Sequence, residues 1–251
     1  MSRPPFLDFH TRLMPGPDAV DRQLALMDEL GIDRAVLAAG AVIEPDRLAR
    51  QLVEGGQFDS DADNDAVLAA CDRAAGRLIP FFFANPHRAA DRYRERAAEF
   101  RGLELSPAVH GIPFADERMV DLVRVAGEFG HPVYTVSLGQ PGFGSGDLVE
   151  LAKRFPDITF VLGHCGFLAV DLHAINQIAP QHNILAETSG TFSFIVKAAL
   201  AKLGADRVLF GTEHPHQHPA VEVTKYRTLD LAEETWNKVV RLNALRVLGE
   251  R

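Results

Sequence analysis

Short apolar runs alternate with longer amphipathic stretches along the whole chain, and glycine or polar residues trail each run. Eight runs have the length and composition of strands buried on both faces: Pro5–Phe9, Arg34–Ala39, Leu78–Phe83, Gly102–Ser106, Pro132–Val136, Ile158–Leu162, Ile184–Ala186 and Val208–Phe210. Between them, apolar residues recur every three or four positions, as in Val20, Leu24, Met27 and Leu30 before the stop at Gly31. The same spacing predicts helices over Asp18–Leu30, Pro45–Leu52, Asn64–Ala75, Ala89–Phe100, Glu117–Phe129, 148–154, 168–178, Phe194–Leu203 and Ala232–Leu248. Asp61 or Asp63 is placed to cap the helix at 64, and Asp147 the one at 148.

This alternation over 251 residues has the size and order of an α/β fold, a single (β/α)8 TIM barrel occupying 1–251 as one catalytic domain. A doubly wound open sheet is the rival, with its site at one crossing point of the strand order. Polar groups favour the barrel. His10, Glu104, Ser137, His164, Glu187 and Glu213 lie in or just after different strands. An open sheet scatters such groups, whereas a barrel gathers them at its C-terminal mouth.

Composition narrows the class. A hydrophobic share of 47% and a charged share of 24% are ordinary for a soluble globular protein. A net charge of −8 argues against a nucleic-acid partner, which asks for a basic patch. Cys71 and Cys165 stand far apart with no C-x-x-C, so no disulfide framework is expected and a reducing compartment fits. The opening MSRPPFLDFH has no basic-then-apolar leader, and no run approaches a membrane span. A cytoplasmic protein with no membrane partner is the expectation. The glycines of 139–146 form no dinucleotide fingerprint.

Candidate chemistry concentrates at the strand ends. Alternation along the first strand puts Asp8, His10 and Arg12 on one side. The stretch 206–219, DRVLFGTEHPHQHP, runs from a buried strand into Glu213, His214, His216 and His218. Glu104 sits inside a five-residue strand, where a charge must face a site or pair with Arg or Lys.

LDFHTR (7–12), GLELSP (102–107), PDITFVLGHCG (156–166), AETSG (186–190), LFGTEHPH (209–216) and LNALRVL (242–248) resemble the motifs of the amidohydrolase-related (amidohydrolase 2) TIM barrels. That family includes aminocarboxymuconate semialdehyde decarboxylase, resorcylate decarboxylases and 2-pyrone-4,6-dicarboxylate lactonase. The resemblance covers essentially the whole chain. In the metal-dependent members, two His of a D-x-H-x-H opening, a strand-five His and a strand-eight Asp bind one divalent metal. Here only the first His is kept, as His10, while Arg12, Val136 and Glu213 stand at the other positions. Arginine has no lone pair to give. The resemblance therefore implies a degraded metal site. No cofactor is expected, with His10, His164 and Glu213 as the ligands if zinc or another divalent metal is present.

The resemblance also assigns roles. His164, Glu213 and His10 are the catalytic candidates. Arg12, Glu104, Ser137, Glu187 and His216 are the substrate-binding ones, with Arg12 as clamp for an anionic small molecule. The plainer reading of Glu213 is a salt bridge to Arg12 or Arg34. Cys165 reads as a small buried filler. His87, His131, His173 and His182 read as surface or packing residues, as does Trp236. The implied function is a hydrolase of a cyclic ester or amide working by His/Glu acid–base chemistry. The alternatives are a decarboxylase or other lyase of a small aromatic or dienoic acid, and a rearrangement or cyclisation enzyme or binding protein on the same barrel. A homodimer is among the expectations.

Overall fold

The computed structural model describes residues 4–167 and 169–250. Residues 1–3, 168 and 251 lie outside them, and with them the first residues of the stretch read for a leader and the first position of the helix expected at 168–178. Among the described residues nine strands appear: β1 (Phe6–Leu13), β2 (Ile32–Ala39), β3 (Leu78–Pro80), β4 (Phe82–Phe83), β5 (Leu103–Leu105), β6 (Val133–Thr135), β7 (Phe160–Leu162), β8 (Ile184–Glu187) and β9 (Val208–Leu209). All neighbouring pairs are parallel, in the orders β1-β2-β3 and β4-β5-β6-β7-β8-β9.

The two sheets are one wall. β3 and β4 are the single run expected at 78–83. Within it Phe81 donates to Leu37 O on one side and Phe82 to Gly102 O on the other, at 2.9 Å each. The opposite seam closes where Phe9 N reaches Phe210 O at 3.0 Å, Glu213 N reaches His10 O at 2.9 Å, and Arg12 N reaches His214 O at 2.7 Å. Eight staves of parallel strand thus form the (β/α)8 barrel.

Every stave but β5 sends apolar side chains inward. Leu7, Phe9, Val36, Ile79, Phe81, Tyr134, Val161, Leu185 and Leu209 form one buried cluster, joined by Ala244 and Leu248 of the last helix. The alternate residues, such as Leu37, Leu103, Val133, Phe160 and Val208, pack outward against the helices. Burial on both faces is why these runs read as continuously apolar. The inward residue of β5 is Glu104, which is fully buried.

Several helices depart from the sequence pattern. The stretch 89–100 holds only a turn of helix at Asp91–Arg94 and another at Ala97–Glu99. Helix 145–154 begins three residues early, and Asp147 lies in its first turn, accepting from Gly144 N at 3.0 Å rather than preceding it. Of the two candidate caps for the helix at 64, Asp63 is the one used. The last helix is interrupted by a π-turn at Lys238–Leu242. Two helices were not anticipated, Pro107–His110 and Pro219–Arg227. Among the described residues no helix is long and apolar enough to cross a membrane.

Candidate active site at the barrel mouth

A bulge in β1 builds half of the site. Asp8 pairs with Ala35, but the next pair is Thr11 with Leu37, so β1 spends one extra residue between them. The extra residue reverses the alternation. Leu7 and Phe9 point into the barrel, and beyond the bulge His10 and Arg12 do as well. Asp8 is therefore not on their side, contrary to strict alternation. Its buried carboxylate accepts from Thr212 N at 2.9 Å and Thr212 Oγ1 at 2.5 Å, tying β1 to the last stave. Burial pushes this carboxyl up to about 7, against the pull of the Thr212 hydrogen bond.

His10 and Arg12 meet two carboxylates from across the barrel. Arg12 Nε lies 2.8 Å from Glu213 Oε1, and its Nη2 lies 2.8 Å from Glu104 Oε1. His10 Nδ1 contacts Glu213 Oε2, and its Nε2 stands 3.5 Å from Glu104 Oε2. Tyr134 stacks on the His10 ring, with centroids 3.9 Å apart and planes 11° from parallel. Two carboxylates between two cationic side chains make a nearly neutral, largely buried lattice. Burial opposes the charge on His10, but Glu213 and Glu104 outweigh it and push the imidazole up to about 9. Burial likewise raises Glu213, and His10, Arg12 and His164 more than offset it, holding the carboxyl well below the usual range. Arg34, the other partner considered for Glu213, pairs instead with Glu250.

His164 approaches from the turn after β7. Its Nε2 is 3.7 Å from Glu213 Oε2 and its side chain is 26% exposed, the most open of the groups around that carboxylate oxygen. Its Nδ1 lies 3.1 Å from Ser189 O and 3.0 Å from Ser189 Oγ. A carbonyl can only accept, so Nδ1 carries the proton and Nε2 the lone pair in the neutral ring. Both His164 and Glu213 adopt positive φ, 56° and 57°. Left-handed backbone at non-glycine residues is costly and collects at functional sites.

Glu187, at the end of β8, is buried and saturated. It accepts from Tyr134 OH at 3.1 Å, His164 N at 3.3 Å, and Ser189 N and Oγ at 2.5 and 2.9 Å. His216 Nδ1 reaches Glu213 Oε1 at 3.2 Å from an exposed position. Ser137 is buried with its hydroxyl unpaired among the described residues, and Val136 packs beside the inner cluster. Of the other His-loop residues, His214 is half-buried and His218 caps the following helix. Cys165 is buried and burial pushes its thiol up, which suits a filler. Tyr134 and Ser189 are the members that motif reading missed. Ser189 lay inside the AETSG match, while Tyr134 looked like one more apolar strand residue.

The donor atoms of His10, His164 and Glu213 lie within 4.8 Å of one another. His10 Nδ1 and Glu213 Oε2 are buried without an aligned hydrogen bond. Two imidazoles and a carboxylate are a donor set of the kind a divalent metal takes, once His10 gives up the proton it shares with Glu213. Arg12 competes with it, since its Nε holds the other oxygen of Glu213.

The amidohydrolase family model matches residues 7–249. The chain belongs to the amidohydrolase family. No curated protein matches the sequence significantly. Among solved structures, this amidohydrolase is similar to 5-carboxyvanillate decarboxylase from Novosphingobium aromaticivorans complexed with manganese, at 18% identity over 98% of this chain and 96% of that one, with a TM-score of 0.74. It is similar to 2,6-dihydroxybenzoate decarboxylase from Rhizobium at 17% identity, covering 98% and 99%, with a TM-score of 0.72. A probable 2-pyrone-4,6-dicarboxylic acid hydrolase from Acinetobacter baumannii, with citric acid bound, matches at 13% identity, 97% and 99% coverage, and a TM-score of 0.74. At these identities the likeness is one of fold.

Proposed function

We propose that this chain is an enzyme that moves a proton at His164 Nε2 and so hydrolyses a cyclic ester or amide of a small carboxylated substrate. The carrying observation is the fixed tautomer of His164, whose unprotonated Nε2 faces the partly open mouth beside Glu213. His164 takes the proton of an attacking water at Nε2, and Glu213, already ionised, stabilises the imidazolium as it forms. The same proton is then delivered to the leaving oxygen or nitrogen. Arg12 keeps one arm in reserve: Nε and Nη2 hold carboxylates, while among the described residues Nη1 has only Ala39 O at 3.5 Å. That arm, the unpaired Ser137 hydroxyl and His216 are assigned to the substrate's carboxylate. Glu104 and Glu187 act behind them, holding Arg12 and the His164 turn.

Decarboxylation of a small aromatic acid is the second reading. It is favoured by the His10, His164 and Glu213 donor set and by the fold shared with two aromatic-acid decarboxylases. A divalent ion held by those three residues would supply Lewis acidity toward the substrate's oxygens. In that reading the His164 Nε2 lone pair is given to the ion, and Nδ1 keeps its proton on Ser189 O.

One set of assays separates the two. Carboxylated lactones and lactams are tested for ring opening, and hydroxybenzoic acids for carbon dioxide release, with metal content measured alongside. H164A and E213Q should each lower turnover by roughly 10²-fold or more. Ring opening that survives a chelator supports hydrolysis. Chelator-sensitive carbon dioxide release, with near-stoichiometric zinc or manganese, moves the assignment to the lyase. Full turnover in H164A would sink both.

A further inference from the structure

A buried ion pair behind the site addresses His164 through one peptide group. Glu222 and Lys225 lie on helix Pro219–Arg227, with their side chains 2% and 8% exposed and Nζ 2.5 Å from Oε2. Lys225 Nζ donates to Thr188 O and Thr191 O, both at 2.9 Å. Glu222 Oε1 accepts from Gly190 N at 3.1 Å. Together they hold both shoulders and the centre of the turn 188–191, whose own bond runs from Thr191 N to Thr188 O at 3.4 Å.

The centre of that turn is the Ser189–Gly190 peptide. In a trans peptide the N–H and C=O point in opposite directions from one rigid plane. Glu222 takes the N–H end, and His164 Nδ1 donates to the C=O end. Gly190 has φ of +67°, as the third position of a type II turn requires. Types I and II differ by rotation of this central peptide. In the rotated form the Gly190 N–H would face His164. Nδ1 would then have to accept, and the ring proton would move to Nε2, blocking the atom the reaction uses.

A buried ion pair is a poor source of stability, because desolvation of both charges offsets their attraction. This one spends its remaining hydrogen bonds on a single turn, of which only Gly190 is exposed. We infer that Glu222 and Lys225 are positioning residues that lock the Ser189–Gly190 peptide in the orientation that keeps the His164 proton on Nδ1. A carboxylate on the N–H end also polarises the peptide and strengthens its carbonyl as an acceptor. Ser189 Oγ is a second acceptor for Nδ1, since its own proton goes to Glu187.

This inference rests on His164 as the proton carrier, but its test observes the imidazole itself. Full turnover in H164A would defeat the functional reading and leave the tautomer result standing. Nitrogen NMR of ¹⁵N-histidine-labelled protein, assigned through H164A, reports which ring nitrogen is protonated. The S189A background removes the second acceptor. In it, E222L/K225M should move the His164 Nδ1 resonance from the protonated toward the unprotonated position. E222Q, whose amide oxygen still accepts from Gly190, should keep it protonated. A folded E222L/K225M/S189A protein with Nδ1 still protonated overturns the inference, and so does loss of the tautomer in both variants. If the leucine variant does not fold, the wild-type Gly190 amide decides. Exchange slowed by roughly 10²-fold or more against an unstructured amide supports the lock, and exchange at the open-loop rate refutes it.

Discussion

Gly163 and Tyr134 form a pair that sets where His10 can sit. A Cβ at 163 would stand 2.2 Å from the Tyr134 hydroxyl and 2.6 Å from its ring. Only glycine lets the tyrosine lie flat on His10 while its hydroxyl reaches Glu187. G163A should cost about 1–3 kcal/mol, the usual range for overpacking. Y134L should also destabilise, by opening the space under His10. Because both changes act on one volume, G163A/Y134L should cost less than the sum of the singles by about 1 kcal/mol or more. Urea denaturation of the four proteins measures the coupling, and strict additivity would refute the shared-volume account.

Helix 219–227 is the element that motif reading passed over, and the site leans on it. Its sequence, PAVEVTKYR, mixes β-branched residues with charges and has no clean apolar stripe. Its start was legible, since Pro219 takes the first helical position after the capping His218. Its inward Glu222 and Lys225 were not, because nothing local says that two charges are buried. Their energetics are testable apart from their role in orientation. K225M leaves Glu222 unpaired and should cost about 3–5 kcal/mol, whereas E222L/K225M should fall within about 1–2 kcal/mol of wild type. A double variant as unstable as K225M would mean that the pair itself holds the fold together.

At the scale of the whole molecule, stability should depend on acid through a residue outside the site. His110 is buried against Phe83, and its Nε2 donates to Ser60 O at 3.2 Å. Burial lowers its pKa from 6.5 to about 4, with the Ser60 bond pulling the other way. Between those values the unfolded chain binds the proton and the folded protein does not. This contribution is therefore complete above about pH 6.5 and is lost as pH falls toward 4, with a slope of up to about 1.4 kcal/mol per pH unit. H110Q keeps a donor for Ser60 but does not titrate there. Urea midpoints from pH 7.5 to 4.5 should fall more steeply for wild type than for H110Q, so that their difference shifts in favour of H110Q toward the acid end. Parallel curves would refute the assignment.

What the sequence determined by itself was the barrel and the cast of its mouth. Strands buried on both faces are largely apolar, so the eight staves were legible as short runs, Glu104 being a charge inside one of them, and the structure splits the run at 78–83 into two short strands. Polar residues at their ends marked His10, Glu104, His164, Glu187 and Glu213, because a parallel barrel gathers its strand ends on one face. Only the tertiary structure decided how they face one another. The bulge that turns Asp8 away and brings His10 and Arg12 inward is a single extra residue without a signature of its own. The stacking of Tyr134, the saturation of Glu187 and the anchoring of the Ser189–Gly190 peptide by Glu222 depend on contacts between residues 23 to 53 or more positions apart. Local pattern records which face of an element is buried. It does not record which distant hydrogen-bond partner waits there, and that pairing sets the proton on His164.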